Sequence, residues 1–189
     1  MLIRSIASLA CTVVLATASL AQMAPMNHEG ARAPDKSAKP LASPVATAEV
    51  TLNGKYLKIT YNRPSMRGRK IMGELVPYDK VWRTGANEAT TLITKANLKI
   101  GTLSVPAGTY TLFTLPSADT WQLIVSKDTG EWGLAYKEAS DLGRTPMQNN
   151  TLSAPQEKMS ISFENTKGNS TELHVKWDTT DRYVNVTAE

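Results

Sequence analysis

Apolar and polar residues alternate with a period of two in several separate stretches of the chain. Leu57, Ile59 and Tyr61 are interleaved with Lys58 and Thr60. Met159, Ile161 and Phe163 are interleaved with Ser160, Ser162 and Glu164, and Leu173, Val175 and Trp177 with His174, Lys176 and Asp178. In an extended chain successive side chains point to opposite faces, so each run reads as a β-strand with one buried face. Residues 49–52 precede the first run across Asn53-Gly54, a pair that readily takes the positive φ angles of a type I′ turn, and the two runs read as a hairpin. Short strands are predicted over 91–95, 98–100 and 103–105. Residues 110–115 are apolar on both faces, with Tyr110 and Leu112 on one and Phe113 and Leu115 on the other, which predicts a central strand. Residues 121–125 return from it after Pro116. Residues 145–152 read as an edge strand, because Pro146 cannot donate to a ladder. A helical turn fits 137–142, and 183–187 closes the domain. No amphipathic helical period occurs. The pattern predicts an all-β fold with little helix: one domain, built as an antiparallel β-sandwich or partly open barrel.

The first 45 residues follow no such pattern. Arg4 is followed by an uncharged apolar run, 6–20, with small residues before Ala21. This has the form of a secretory leader, too short for a membrane span, with cleavage expected after Ala21. Cys11, the single cysteine of the chain, has Ser8 three places before it rather than the Leu of a lipid-attachment signal. It is expected to leave with the leader, so the mature chain has neither disulfide nor thiol nucleophile. Residues 22–45, with Pro25, Pro34, Pro40 and Pro44 among Ala, Lys and Ser, read as a disordered tether, and 46–189 as the folded domain. The expected location is periplasmic or secreted.

The net charge of +4 over 189 residues is spread as interleaved Lys, Arg, Asp and Glu. Without a basic stripe, nucleic acid is not an expected partner, and no stable membrane span is expected once the leader is removed.

Residues 63–90 stand apart from the strand material. They hold Arg63, Arg67, Arg69 and Arg83, with Gly68, Gly73 and Gly85, Tyr78, Trp82, Asn87 and Glu88. Several strings here and nearby resemble one family. They are Tyr61-Asn-Arg-Pro64, Gly68-Arg69, Gly73-Glu-Leu-Val-Pro-Tyr78, Val81-Trp-Arg-Thr-Gly-Ala-Asn-Glu-Ala-Thr90, Ala107-Gly-Thr-Tyr110 and Trp121. The family is the exported bacterial domain-of-unknown-function family 2911. The resemblance covers nearly everything from Ala46 onward and implies an exported, β-rich bacterial domain. It carries over no catalytic residue and no ligand. Met66 and Met72 depart from its pattern, where a polar residue such as Lys and a Phe are expected.

Guanidinium groups bind carboxylate, sulfate and phosphate through paired donors, glycines let backbone approach a ligand, and Tyr or Trp offers a flat face. Arg63, Arg69, Tyr78, Trp82, Arg83, Asn87 and Glu88 are therefore the candidate set for a polar or anionic ligand: a glycan, a peptide or a small molecule. The competing structural reading pairs Arg83 with Glu88, uses Arg63 to tie a loop to a sheet edge, and places Trp82 in the core. A hydrolase of glycans or esters, using Glu88 or Asp79, is a third possibility, and a structural or protein-interaction domain of the cell envelope a fourth. No catalytic residue is assigned. His28 and His174 are the only histidines, far apart in sequence, so neither metal nor cofactor is expected. His174 alternates with core residues and is expected to face solvent. Trp121 is expected in the core and Trp132 on the surface. Arg67-Gly68-Arg69 does not match a phosphate-binding loop.

Overall fold

The protein is described by a computed structural model over residues 42–130, 133 and 135–189. The leader, nearly all of the tether and Trp132 lie outside the described residues. The strands are β1 (Val45–Leu52), β2 (Lys55–Asn62), β3 (Thr90–Thr94), β4 (Leu98–Ile100), β5 (Leu103–Val105), β6 (Gly108–Pro116), β7 (Trp121–Ser126), β8 (Asp141–Lys167) and β9 (Ser170–Ala188). Among the described residues a single 3-10 turn, at Glu138–Ser140, falls inside the segment expected to be helical. All pairings are antiparallel, in the order β1-β2-β3-β6-β7-β8-β9-β4-β5, and the sheet does not close on itself.

The β1–β2 hairpin turns where Asn53 and Gly54 stand, at φ angles of 50° and 73°, and Leu52 pairs with Lys55 across it. Leu57, Ile59 and Tyr61 are all buried, as their alternation requires. β6 lies between β3 and β7, and Tyr110, Leu112 and Phe113 are buried on both its faces. Trp121 is buried at the start of β7.

β8 corrects the expected edge strand. It is flanked by β7 and β9 and runs for 27 residues. Its first part pairs with β7, Gln122 standing opposite Pro146, and its pairing with β9 begins only at Gln148. At Pro146 one side of the strand carries no named ladder, and there the missing N–H has no cost. β8 thus belongs to both halves of the sheet. The sheet curls until the inner face of β2 meets β8 and β9, where the Tyr61 hydroxyl donates to the Ile161 carbonyl at 3.4 Å. One core joins Leu57, Ile59, Leu92, Leu112, Leu123, Val125, Ile161 and Val175. Each such aliphatic side chain contributes roughly 1.5–3 kcal/mol by leaving water.

Between β7 and β8 the chain is tied by polar groups. Tyr136 donates to Asp141 Oδ2 at 2.8 Å and accepts from Arg144 at 2.6 Å, and its ring meets Phe113 edge-on at 5.1 Å. Burial, then the bond to Asp141, pushes the Tyr136 phenol up to about 12 from an ordinary 10.0. A phenol that keeps its proton better when folded stabilises the fold fully below about 10 and loses that contribution as pH rises toward about 12. The stability gap between the wild type and Tyr136→Phe, followed by urea unfolding, is therefore expected to narrow across that window. A constant gap would contradict the tie.

Candidate functional site

Residues 63–89 form the crossover from β2 to β3 and contain no named strand beyond its first residues' backbone bonds. The crossover is pinned to two different parts of the sheet. Near its start, Met66 N–H donates to Glu157 O at 2.8 Å and Met159 N–H to Pro64 O at 3.0 Å, so the chain lies along β8. Near its end, Trp82 and Thr114 exchange backbone bonds of 2.8 and 2.9 Å, so it lies along β6. Between the pins the chain must reverse repeatedly. Arg67, Gly68, Gly73, Asp79, Thr84 and Asn87 all take positive φ, between 51° and 83°. Glycine does so freely and Asp or Asn tolerably, but a β-branched residue does not. Thr84, at φ 54° and buried, is held by its environment. Its hydroxyl donates to Thr114 Oγ1 at 3.1 Å and its carbonyl accepts from Thr90 at 2.9 Å.

The strained residue stands next to a cavity of about 340 Å³. Pro64, Val76, Gly85 and Trp177 form its buried floor, and Val81, Trp82, Arg83 and Ala86 its half-buried wall. Arg69 and Leu75, both exposed, stand at the rim. Trp82 stacks on Trp177 (centroids 6.0 Å apart, planes at 18°) and meets Trp121 edge-on at 6.2 Å. Arg182 lies over the other indole of that set, 5.6 Å from the Trp121 centroid. Burial lowers the basicity of Arg182.

The candidate residues divide around this cavity. Arg69, Trp82 and Arg83 line it; Arg63, Tyr78, Asn87, Glu88 and Asp79 do not. Arg63 Nε donates to Met159 O at 3.0 Å, tying loop to sheet as the structural reading held. Arg69 spends two donors on its own loop, at Met66 O (2.9 Å) and Ser65 O (2.7 Å). Trp82 Nε1 donates to Gly85 O at 3.2 Å, and Asn87 reaches Ser43 O at 3.4 Å. Glu88 accepts from the buried Asn62 at 2.7 Å, and no ion pair joins it to Arg83 among the described residues. Of the candidates that line the cavity, Arg83 departs from this pattern of internal pairing. Its Nε is buried without a hydrogen-bond partner, and its guanidinium makes no bond or ion pair among the described residues. The side chain is also confined, since a Cβ at Gly133 would overlap Arg83 Cδ.

His174 is a correction: it is buried, not solvated. Its face of β9 was read properly from the alternation, but that face is covered. Asp178 takes φ 55°, and the register of β9 against β8 shifts on either side of Gln156, which stands opposite it. Buried positions change from Leu173, Val175 and Trp177 to Val184, Val186 and Ala188, so His174 and Asp181 share the outward face. Seven residues of straight strand would separate them by roughly 23 Å. Instead His174 Nδ1 and Asp181 Oδ1 are 2.8 Å apart, because the strand bends. His174 Nε2 is 3.1 Å from Glu172 and its ring stacks on Tyr183 at 4.9 Å. Lys176 donates to Glu164 at 2.6 Å, and Asn150 to Asp181 at 3.1 Å. Burial acts to raise the Glu164 carboxyl, but bonds from Lys176 and Ser162 outweigh it and hold it below the usual range. Bonds from Asn165 and then His174 lower Glu172. Two lowered carboxylates make poor general acids, and the polar groups of this cluster satisfy one another. Among the described residues no group of His, Cys, Asp and Glu is arranged to hold a metal ion.

The family described as "Protein of unknown function (DUF2911)" matches residues 43–186. No curated protein and no solved structure matches the chain. The chain belongs to that family of unknown function.

Proposed function

We propose that this family member is an exported binding protein that takes a small anionic ligand in the cavity beside Arg83. The carrying observation is the guanidinium itself, half-buried, confined by Gly133 and without a partner among the described residues. The guanidinium N–H groups other than the buried Nε have no partner among the described residues, and a carboxylate, phosphate or sulfate oxygen can meet them through charge-assisted bonds. Thr84 supports the reading, because backbone strain of this kind collects where a neighbouring side chain must be held in place. The volume, at the small end of the roughly 300–1,000 Å³ typical of ligand sites, favours a small molecule over an extended glycan or peptide. Glu88 and Asp79 do not line the cavity, so the hydrolase reading has no carboxylate there. Export is supported by the apolar run at 6–20.

A thermal-shift screen against carboxylates, phosphates and sulfated compounds tests this, run on the wild type and on Arg83→Met. An anion at a hundred times its Kd is expected to stabilise the wild type by about 2.7 kcal/mol, which is several degrees in Tm. Arg83→Met is expected to show little of that shift. An anion that raises both melting temperatures equally would remove Arg83 from the site.

A further inference from the structure

We infer that the ligand is amphiphilic: a single anionic group on a compact apolar body. The inference rests on the reading of Arg83 as the anion's partner and adds the rest of the ligand to it. Apolar side chains make up most of the cavity lining. Val81, Trp82 and Ala86 on the half-buried wall and Leu75 at the exposed rim present apolar surface beside Arg83 and Arg69, while Pro64, Val76 and Trp177 are themselves buried. Trp177, 2% exposed, has its indole N–H already donated to Glu157 O at 3.2 Å, so it offers the cavity no donor. A free phosphate or a short polar acid would satisfy Arg83 and leave the floor wetted by water. A saccharide would bury hydroxyls against Pro64, Val76 and Trp177 without partners, which is costly. An alkyl or aryl acid meets both requirements, its body displacing water from the apolar lining and its head group reaching Arg83 and the spare N–H groups of Arg69. Leu75, 43% exposed and lining the rim, extends the apolar surface to the mouth.

The test is calorimetric titration with straight-chain carboxylates from acetate to octanoate, the matching 1-alkanols, and inorganic phosphate. For the wild type, affinity is expected to rise about fourfold per added methylene, then level off once the chain fills the floor. Arg83→Met should weaken the acids roughly ten- to a hundredfold while leaving the alcohols unchanged. Val81→Trp keeps the cation and narrows the wall, and should weaken hexanoate but not acetate, which keeps the test decisive if Arg83→Met folds poorly. Phosphate and acetate binding as tightly as hexanoate, and lost in Arg83→Met, would overturn the amphiphile and leave the anion site standing. Acids and alcohols binding equally, with no change in Arg83→Met, would overturn the anion site as well. Binding of none of these probes would overturn both.

Discussion

Asp181→Ala is expected to lower the free energy of unfolding by about 3–5 kcal/mol, measured by urea denaturation at neutral pH. Asp181 is 1% exposed and receives His174 at 2.8 Å and Asn150 at 3.1 Å, with Lys176 at 3.9 Å. Removing its carboxylate leaves Nδ1 of the buried His174 without its acceptor, takes the partner from the Asn150 amide, and leaves Lys176 with Glu164 alone. It also removes the contact that closes the bend of β9 at Asp178. Asp181→Asn keeps the shape and one acceptor, and should cost less, about 1–3 kcal/mol. The comparison with surface pairs sets the scale: Lys70–Glu74 is 67% and 60% exposed, and such a pair is worth about 0–1 kcal/mol. A loss below about 1 kcal/mol for Asp181→Ala would mean that β9 bends without this cluster.

Trp177→Ala is expected to cost a similar amount, about 3–5 kcal/mol, by a different route. The indole is 2% exposed, stacks on Trp82 and spends its N–H on Glu157. Truncation removes the transfer energy of a large ring and leaves a void that its neighbours only partly fill. The same change removes the cavity floor, so ligand affinity falls together with stability. Trp177→Phe separates the two, because it keeps most of the apolar volume and loses only the bond to Glu157. It should retain alkyl-acid binding while costing about 1–2 kcal/mol of stability. Loss of binding in Trp177→Phe at full wild-type stability would assign the indole a direct polar role that its bond to Glu157 argues against.

The fold was legible in the sequence wherever local chemistry decides it. Asn53-Gly54 specified the first hairpin, the two apolar faces of residues 110–115 specified a central strand, and alternation found the buried side chains of β2, β8 and β9. What remained hidden depended on partners distant in sequence. Pro146 announced a residue with no ladder on one side, but a strand can be an edge at one residue and interior a few residues later, and the period of two carries no record of that change. His174 was placed on its proper face and given the wrong environment, since its cover comes from Asp181 and Tyr183 beyond a bend at Asp178 that the sequence marks only by an Asp in a strand. For the candidate site, composition pointed to 63–90, and Arg69, Trp82 and Arg83 do line one cavity. Residue type could not separate Arg83 from Arg63, because both are half-buried arginines in loops. The difference lies in whether a carbonyl such as that of Met159 is in reach. Trp177 could not be found from this stretch at all; the sheet's curl delivers it to the floor from β9.

The sharing of β8 bears on how the molecule comes apart. A two-sheet protein whose sheets meet only through side chains can lose one while keeping the other. Here the backbone of β8 is the last strand of one half and the first of the other, paired with β7 before Gln148 and with β9 from there on. Melting either half strips the ladder from a strand the other half needs, so the free energies of the halves are not separable. The crossover at 63–89 is laced to β8 and β6 at once and is bound into the same unit. The cavity is therefore carried by a single cooperative transition, and a ligand seated in it stabilises the whole folded sheet.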